Sequence, residues 1–182
     1  SNIIAGTGIS SNVTPTATTT YWVRRYDASC SSYTAGTTTT ITITPAGNPS
    51  VFGNNVWNVY GYSTGDITLA TAVYAGYYSV NTLGVDTQNG TNSWASTASP
   101  SSSAGWAGCS VPVDNFTMVL KRSGFPCGTY TIALANWDDA TEVYINGTLA
   151  WSCTTWSGGG ACSGSVGSYT LGTASTIEIR VR

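Results

Sequence analysis

Short stretches in which apolar and polar residues alternate, separated by turn residues, run through most of this chain. The clearest is the segment 141–151, in which Val143 and Ile145 alternate with more polar positions at the two-residue period of a half-buried strand. Asn146-Gly147 follows, and this dipeptide is the strongest short-range signal for a tight turn between two strands. The pattern therefore predicts a β-hairpin.

Strands are also the only regular elements that the rest of the pattern predicts. Three are expected at the N-terminal end, one around Gly8–Pro15 and two in the stretches TTTYWVRRYDA and TTTTITIT. The further strand segments are VFGNNVWNVYGYS, ITLATAVYAGYYSV, FTMVLKRS, YTIALANW, TEVYINGTLAW, GSYTLG and TIEIRVR. Residues 95–108 and 154–168 are rich in small residues and are predicted to be loops.

These elements predict an all-β protein built as an antiparallel β-sandwich. A break rich in Pro, Gly and Asn follows the third strand, and it divides the chain into a segment 1–46 and a larger module 47–182. Three strands with open edges rarely stand alone, so the first segment needs a partner, either the larger module or strands from another chain.

The charge content excludes several functions. Only 8% of residues are charged, the net charge is -2 and there is no His. A basic surface for nucleic acid is missing, and Ser-His-Asp and Cys-His catalysis and most catalytic zinc sites are excluded. The basic pairs Arg24-Arg25 and Lys121-Arg122 are interpreted as solvated strand faces. The sequence has no run of about eighteen apolar residues, so no membrane-spanning helix is predicted.

Five cysteines in a chain rich in Thr, Ser, Asn and Tyr indicate an oxidising, extracellular compartment. Cys153 and Cys162 bracket a glycine run and are predicted to form one disulfide, and Cys109 and Cys127 are predicted to form a second. Cys30 is left over, as a free thiol or as a bridge to another chain.

Asp138 and Asp139 directly precede the strand of the predicted hairpin. Two adjacent carboxylates repel each other unless a cation or hydrogen-bond donors hold them, and hard oxygen ligands suit calcium. The pair is therefore a candidate metal site. The alternative is a turn in which each Asp side chain binds nearby backbone, since Asp is common ahead of hairpins.

Aromatic residues are more numerous than one core needs, with seven Trp and eleven Tyr, and aromatic faces are platforms on which sugar rings stack. Trp156 lies in a loop rich in Gly and Ser and is the best candidate for an exposed contact. Trp151 alternates inward with Ile145 and is expected in the core. The residues predicted to contact a ligand are Trp137, Tyr144 and Trp156.

Glu142 and Asp139 are weighed as an acid/base pair for glycoside hydrolysis, which needs two carboxyls about 5–9 Å apart. Glu142 is expected to face solvent from a strand, and Asp138 and Asp139 are too close together for that separation. We therefore predict that the chain is not an enzyme.

The N-terminal residues GTGISSNVTPTATTTYWVRRYDASC and TTTTITIT resemble the second half of an immunoglobulin-like repeat from large secreted adhesins of gliding, type-IX-secreting bacteria. The match covers about forty residues, from the GTG turn through the TTTYWVR strand. The first half of that repeat is missing. The resemblance therefore implies an incomplete set of immunoglobulin-like strands, to be completed by the larger module or by another chain, and a nearby or cross-strand partner for Cys30.

Residues 48–182 resemble the next module of the same adhesins through WNVYGYS, AGYYSVNTLGVDT, DNFTMVLKRSGFPCGTY, WDDATEVYINGTLAW and STIEIRVR. That module is similar to the protective-antigen-like lectin domain of yeast flocculins, a jelly-roll sandwich in which a vicinal Asp-Asp pair binds the calcium that contacts sugar hydroxyls. Asp138 and Asp139 are the matching positions. The resemblance implies calcium as cofactor and glycans as partners.

We therefore expect a secreted, non-enzymatic module of a bacterial cell-surface adhesin that binds glycans through calcium at Asp138 and Asp139. A second interpretation is a structural subunit of an extracellular filament, joined by strand donation between neighbouring copies. A third is a carbohydrate-binding accessory domain of a secreted hydrolase. Nucleic-acid partners and membrane insertion are not expected.

Overall fold

A computed structural model describes residues 12–13, 15, 18–42, 46–86 and 99–182. These ranges contain short β-strands and two single-turn 3-10 helices, Pro100–Ser102 and Ser157–Gly159. The strands are β1 (Thr19–Val23), β2 (Tyr26–Asp27), β3 (Ser32–Tyr33), β4 (Thr37–Ile41), β5 (Gly53–Asn54), β6 (Trp57–Tyr62), β7 (Tyr74–Val80), β8 (Ala107–Gly108), β9 (Thr117–Ser123), β10 (Gly128–Ala133), β11 (Thr141–Ile145), β12 (Thr148–Cys153), β13 (Ser165–Leu171) and β14 (Ile177–Val181). The predicted all-β class is confirmed.

The chain divides into two compact units, residues 1–44 (unit 1) and residues 45–182 (unit 2). In unit 1, β1 pairs antiparallel with β4, and β2 pairs antiparallel with β3. The stretch TTTYWVRRYDA, predicted as one strand, contains two short ones, β1 and β2, and the stretch TTTTITIT forms β4 over its first five residues. The strand predicted around Gly8–Pro15 falls mostly outside the described residues.

Unit 2 is built on an eight-stranded sheet in the order β12-β11-β14-β9-β6-β7-β8, with the short β5 beside β9. Its pairings are antiparallel except for β5 with β9. The strand after the predicted hairpin turn is β12, at one edge of the sheet. β13 begins at Ser165, so the predicted loop 154–168 ends a few residues early.

One face of this sheet carries the core, and the smaller sheet of β10 and β13 packs on it. Buried residues of the large sheet, such as Val59, Met118 and Val143, meet Ile132 and Tyr169 from the smaller one. The alternation predicted for β11 is confirmed, because Thr141, Val143 and Ile145 are buried and the residues between them are half-buried on the opposite face. The result is a sandwich-like, two-layer unit.

Arg122 corrects the interpretation of Lys121-Arg122 as a solvated strand face. Its exposed fraction is 3%, because in β9 it shares the inward face with Met118 and Leu120. The guanidinium donates hydrogen bonds to the Thr82 carbonyl at 3.1 Å and to Asn55 Oδ1 at 2.8 Å. Arg122 thus joins three segments of unit 2 from inside, while Lys121 faces outward.

A loop covers part of the outer face of the large sheet, over the buried residues Tyr60, Tyr62 and Val119. Asp66 organises this loop, because its carboxylate accepts hydrogen bonds from the backbone N–H and the hydroxyl of both Thr68 and Thr71. These bonds hold the pKa of Asp66 well below its usual value.

Candidate functional site

Trp137 joins two loops at one end of unit 2. It follows β10 in the chain, its exposed fraction is 8%, and its ring packs edge-on against Trp151 with 5.0 Å between ring centroids. Its indole N–H donates to the Thr155 carbonyl at 2.8 Å, and its own carbonyl accepts from the backbone N–H of Ser157 at 2.9 Å. Trp137 is therefore a buried support rather than the exposed ligand contact that the sequence predicted.

The loop that Trp137 holds is closed by a disulfide between Cys153 and Cys162, with 6.1 Å between their Cα atoms. This bridge is one of the two predicted, and it is confirmed. The indole N–H of Trp151 donates to the Ser163 carbonyl at 2.9 Å and ties the far end of the loop to β12. A loop rich in glycine is thus fixed at both ends and in its middle.

Trp156 is the exposed residue of this loop, with 54% of its surface accessible. One face of its six-membered ring lies on the backbone of Gly158, so a Cβ atom placed there would overlap the ring. The indole is therefore a flat platform that is supported from one side. Trp151 is half-buried and packs against the core, as expected for an inward-facing position.

The Asp138–Asp139 segment continues directly from Trp137, and the peptide bond between the two aspartates is cis. Both side chains are exposed. The backbone N–H of Asp139 donates to the Arg182 carbonyl, and the N–H of Arg182 donates to the Ala140 carbonyl at 2.9 Å. The Asp139 carboxylate lies 3.9 Å from the Arg182 guanidinium, a long and solvent-exposed ion pair.

Negative charge is poorly compensated here. Partial burial, a hydrogen bond with Asp139 and the charges of Asp139 and Asp114 together raise the pKa of Asp138 above its usual value. Asp114, from the loop before β9, was not singled out in the sequence. Its only sequence signal is a position in a polar turn, which does not show that the turn comes near Asp138.

The two carboxylates fit part of a calcium shell. They offer up to four oxygens, whereas calcium takes about 6–8, so backbone carbonyls, water or ligand hydroxyls must complete it. Among the described residues, no group of three or more His, Cys, Asp or Glu side chains is placed to hold a metal ion together. Asp114 is thus a neighbour of the pair and not a third ligand in this arrangement.

Tyr144 lies apart from the tryptophans, on the opposite face of the large sheet. Its hydroxyl donates to Glu142 at 2.6 Å, and the Arg180 guanidinium stacks over its ring at 4.7 Å. Tyr144, predicted to contact a ligand, therefore points away from the core face of β11, on which Trp151 packs against Trp137. Glu142 is engaged in this outer-face network as well.

The second predicted disulfide, Cys109–Cys127, is not formed, and both residues are free, as is the exposed Cys30. Cys109 follows β8 at one edge of the large sheet, and its N–H donates to the Ala75 carbonyl at 2.7 Å. Cys127 directly precedes β10 of the smaller sheet. The two cysteines therefore belong to different layers of unit 2 and do not meet.

In the part of the chain that the structure describes, no helix has the length and apolar character needed to cross a membrane. The disulfide at Cys153 and Cys162 indicates an oxidising environment. No protein family, curated protein or solved structure matches this chain.

Proposed function

We propose that this chain is a secreted, non-enzymatic module that binds glycans with calcium at the surface shared by Trp156 and the Asp138-Asp139 pair. The observation that carries the proposal is the double hydrogen bond between Trp137 and the Thr155–Ser157 segment. These two bonds connect the loop that displays the exposed Trp156 indole to the Asp138-Asp139 segment. The two carboxylates there share one long ion pair, between Asp139 and Arg182. Sugar recognition commonly combines an apolar platform with a few polar groups that fix orientation.

Each part of the surface has a distinct role in this proposal. Asp138 and Asp139 hold the calcium ion, whose remaining coordination positions accept sugar hydroxyls, and Trp156 packs against the C–H face of the same sugar. Because the indole rests on Gly158, little conformational freedom is lost when the sugar binds. Partial burial and the charges of Asp139 and Asp114 both raise the pKa of Asp138, and calcium offsets the repulsion from those charges.

Calcium binding is tested first, without any sugar. Calcium at about one hundred times its Kd is expected to raise the Tm of metal-free protein by roughly 5–10 °C, because it binds the native state alone. Chelator should reverse the shift, and the double variant Asp138→Asn/Asp139→Asn should show none. Asp86→Asn, an exposed carboxylate elsewhere on unit 2, is the matched control and should respond like the wild type. An identical Tm with calcium and with chelator excludes the metal.

Glycan binding is then measured on a glycan array, with calcium and with chelator. Binding that requires calcium and is lost in Trp156→Ala supports the proposal. Leu149→Ala is the control, since Leu149 is a comparably exposed apolar residue of unit 2, at 50%. Calcium binding without any glycan binding would leave a metal site and overturn the lectin function.

A further inference from the structure

The described residues of unit 1 form strands but no buried core. None of its described residues is buried, and the exposed fractions of Trp22, Tyr26 and Tyr33 are 66%, 53% and 66%. Two-stranded β-structures are at best marginally stable in water, and clustered exposed apolar side chains mark interaction surfaces. A surface that covers these side chains would therefore stabilise unit 1.

The exposed face of the β1–β4 pair has a defined chemistry. Trp22 and Arg24 lie on one face on either side of Gly36, since a Cβ atom there would stand 3.2 Å from Trp22 Cε3 and 3.1 Å from Arg24 Nε. On the same face, the hydroxyls of Thr20 and Thr40 are hydrogen-bonded at 2.9 Å. An indole, a guanidinium and two hydroxyls therefore form one surface, the Trp22 face.

Charge complementarity identifies what covers the Trp22 face. The acidic and basic side chains of unit 1 give it a net charge of +1, from Arg24, Arg25 and Asp27. Unit 2 carries four basic and seven acidic residues, a net charge of -3. Three of these acidic residues, Asp114, Asp138 and Asp139, are exposed and interact with one another, and in the described residues Arg182 is the one cation in an ion pair with them.

We propose that unit 1 of one copy of this chain docks through its Trp22 face onto the acidic surface around Asp138 on unit 2 of a second copy. Arg24 then neutralises the carboxylates, and the Trp22 side chain becomes buried. Because the two surfaces differ, the contact is head-to-tail and generates a chain of copies.

This contact uses the carboxylates to which calcium is assigned above, so calcium and Arg24 compete for them. Calcium is therefore expected to shift the assembly toward monomer. The two proposals fail separately, since Arg24 and Arg25 take no part in calcium binding and the calcium test needs no assembly.

Two neutralised variants of the full chain test the head-to-tail contact by sedimentation velocity in chelator. Variant A is Arg24→Gln/Arg25→Gln, which has a weakened unit 1 and an intact acidic surface. Variant B is Asp138→Asn/Asp139→Asn, which has an intact unit 1 and a neutralised acidic surface. Wild type is expected to form species larger than a dimer at low salt, and fewer at high salt. Each variant alone should associate roughly tenfold more weakly.

An equal mixture of A and B gives the decisive result. The intact unit 1 of B can dock on the intact acidic surface of A. The remaining free surfaces, unit 1 of A and the acidic surface of B, both carry substitutions, so the mixture should stop at dimers. Trp22→Ser, which removes the indole and no charge, should weaken assembly at every salt concentration. Far-UV circular dichroism verifies that each variant folds. A wild-type chain that stays monomeric at low salt, or a variant A that assembles like wild type, overturns the proposal.

Discussion

The indole N–H of Trp137 donates a hydrogen bond of 2.8 Å to the backbone carbonyl of Thr155. This bond crosses between the segment that ends in Asp139 and the disulfide-closed loop that displays Trp156. The two parts of the candidate site are therefore held together by a residue that is itself buried. The exposed groups take their positions from Trp137, which has no need to contact the ligand.

We predict that Gly158→Ala disrupts the Trp156 platform. The new Cβ atom overlaps the indole ring, so the ring must move away from the loop backbone. Stability should change by less than about 1 kcal/mol, because the loop is exposed. Glycan affinity should fall roughly three- to tenfold as the supported stacking surface is lost.

Iodide quenching of tryptophan fluorescence measures the ring movement, and Trp156→Phe identifies the contribution of this one indole. Gly159→Ala is the matched control, since its Cβ atom would lie 3.6 Å from Trp156 Nε1, an ordinary contact. Equal quenching and equal binding in the two alanine variants would show that Gly158 does not set the ring position.

A second prediction concerns the thiols. Unfolded protein without reductant should titrate as three thiols, from Cys30, Cys109 and Cys127. In native protein, Cys30 and Cys127 should react fast and the half-buried Cys109 slowly. The Cys153→Ser/Cys162→Ser variant should lose about 3 kcal/mol of unfolding free energy, because the bridge closes a short loop in the unfolded chain. A count of one thiol would reveal a second bridge.

The sequence pattern correctly predicted the structural features that are set by residues close together in the chain. The alternation in β11, the Asn146-Gly147 turn and the Cys153–Cys162 bridge are all local, and the structure contains each of them. Asp138 and Asp139 were identified as a candidate metal site for the same reason, because they are adjacent carboxylates shortly before a strand.

Features that depend on how the strands are arranged in the two sheets could not be predicted from the sequence pattern. Cys109 and Cys127 flank one strand in sequence, but Cys109 lies beside β8 at an edge of the large sheet and Cys127 directly before β10 in the smaller sheet. Likewise, the charge of Arg122 indicated a solvated position, whereas the alternation of β9 turns it into the core, where backbone carbonyl and amide oxygens receive its hydrogen bonds. Composition alone did not show which face of that strand would be covered.

The last prediction compares two aspartates whose pKa values shift in opposite directions. Asp138 binds its proton more tightly in the folded state, because of partial burial, its hydrogen bond with Asp139 and the charges of Asp139 and Asp114. Its ionised form therefore destabilises the metal-free fold, and this penalty is relieved as the pH falls through the folded-state pKa toward the usual 3.8. Asp138→Asn should accordingly stabilise the protein at pH 7 in chelator and remove that part of the pH dependence.

Asp66 is the matched case of opposite sign, because its hydrogen bonds to Thr68 and Thr71 lower its pKa. The stability that its ionised carboxylate contributes is present above the usual 3.8 and is lost as the pH falls further, toward the folded-state pKa. Asp66→Asn replaces one accepting oxygen by an NH₂ group that cannot accept the Thr hydrogen bonds, so it should destabilise at pH 7. Urea unfolding of both variants at pH 7 and about 4 checks the Asp138 change, and a further measurement at pH about 2.5 checks the loss of the Asp66 contribution. A destabilised Asp138→Asn in chelator would show that this carboxylate stabilises the fold and is not held under repulsion for a cation.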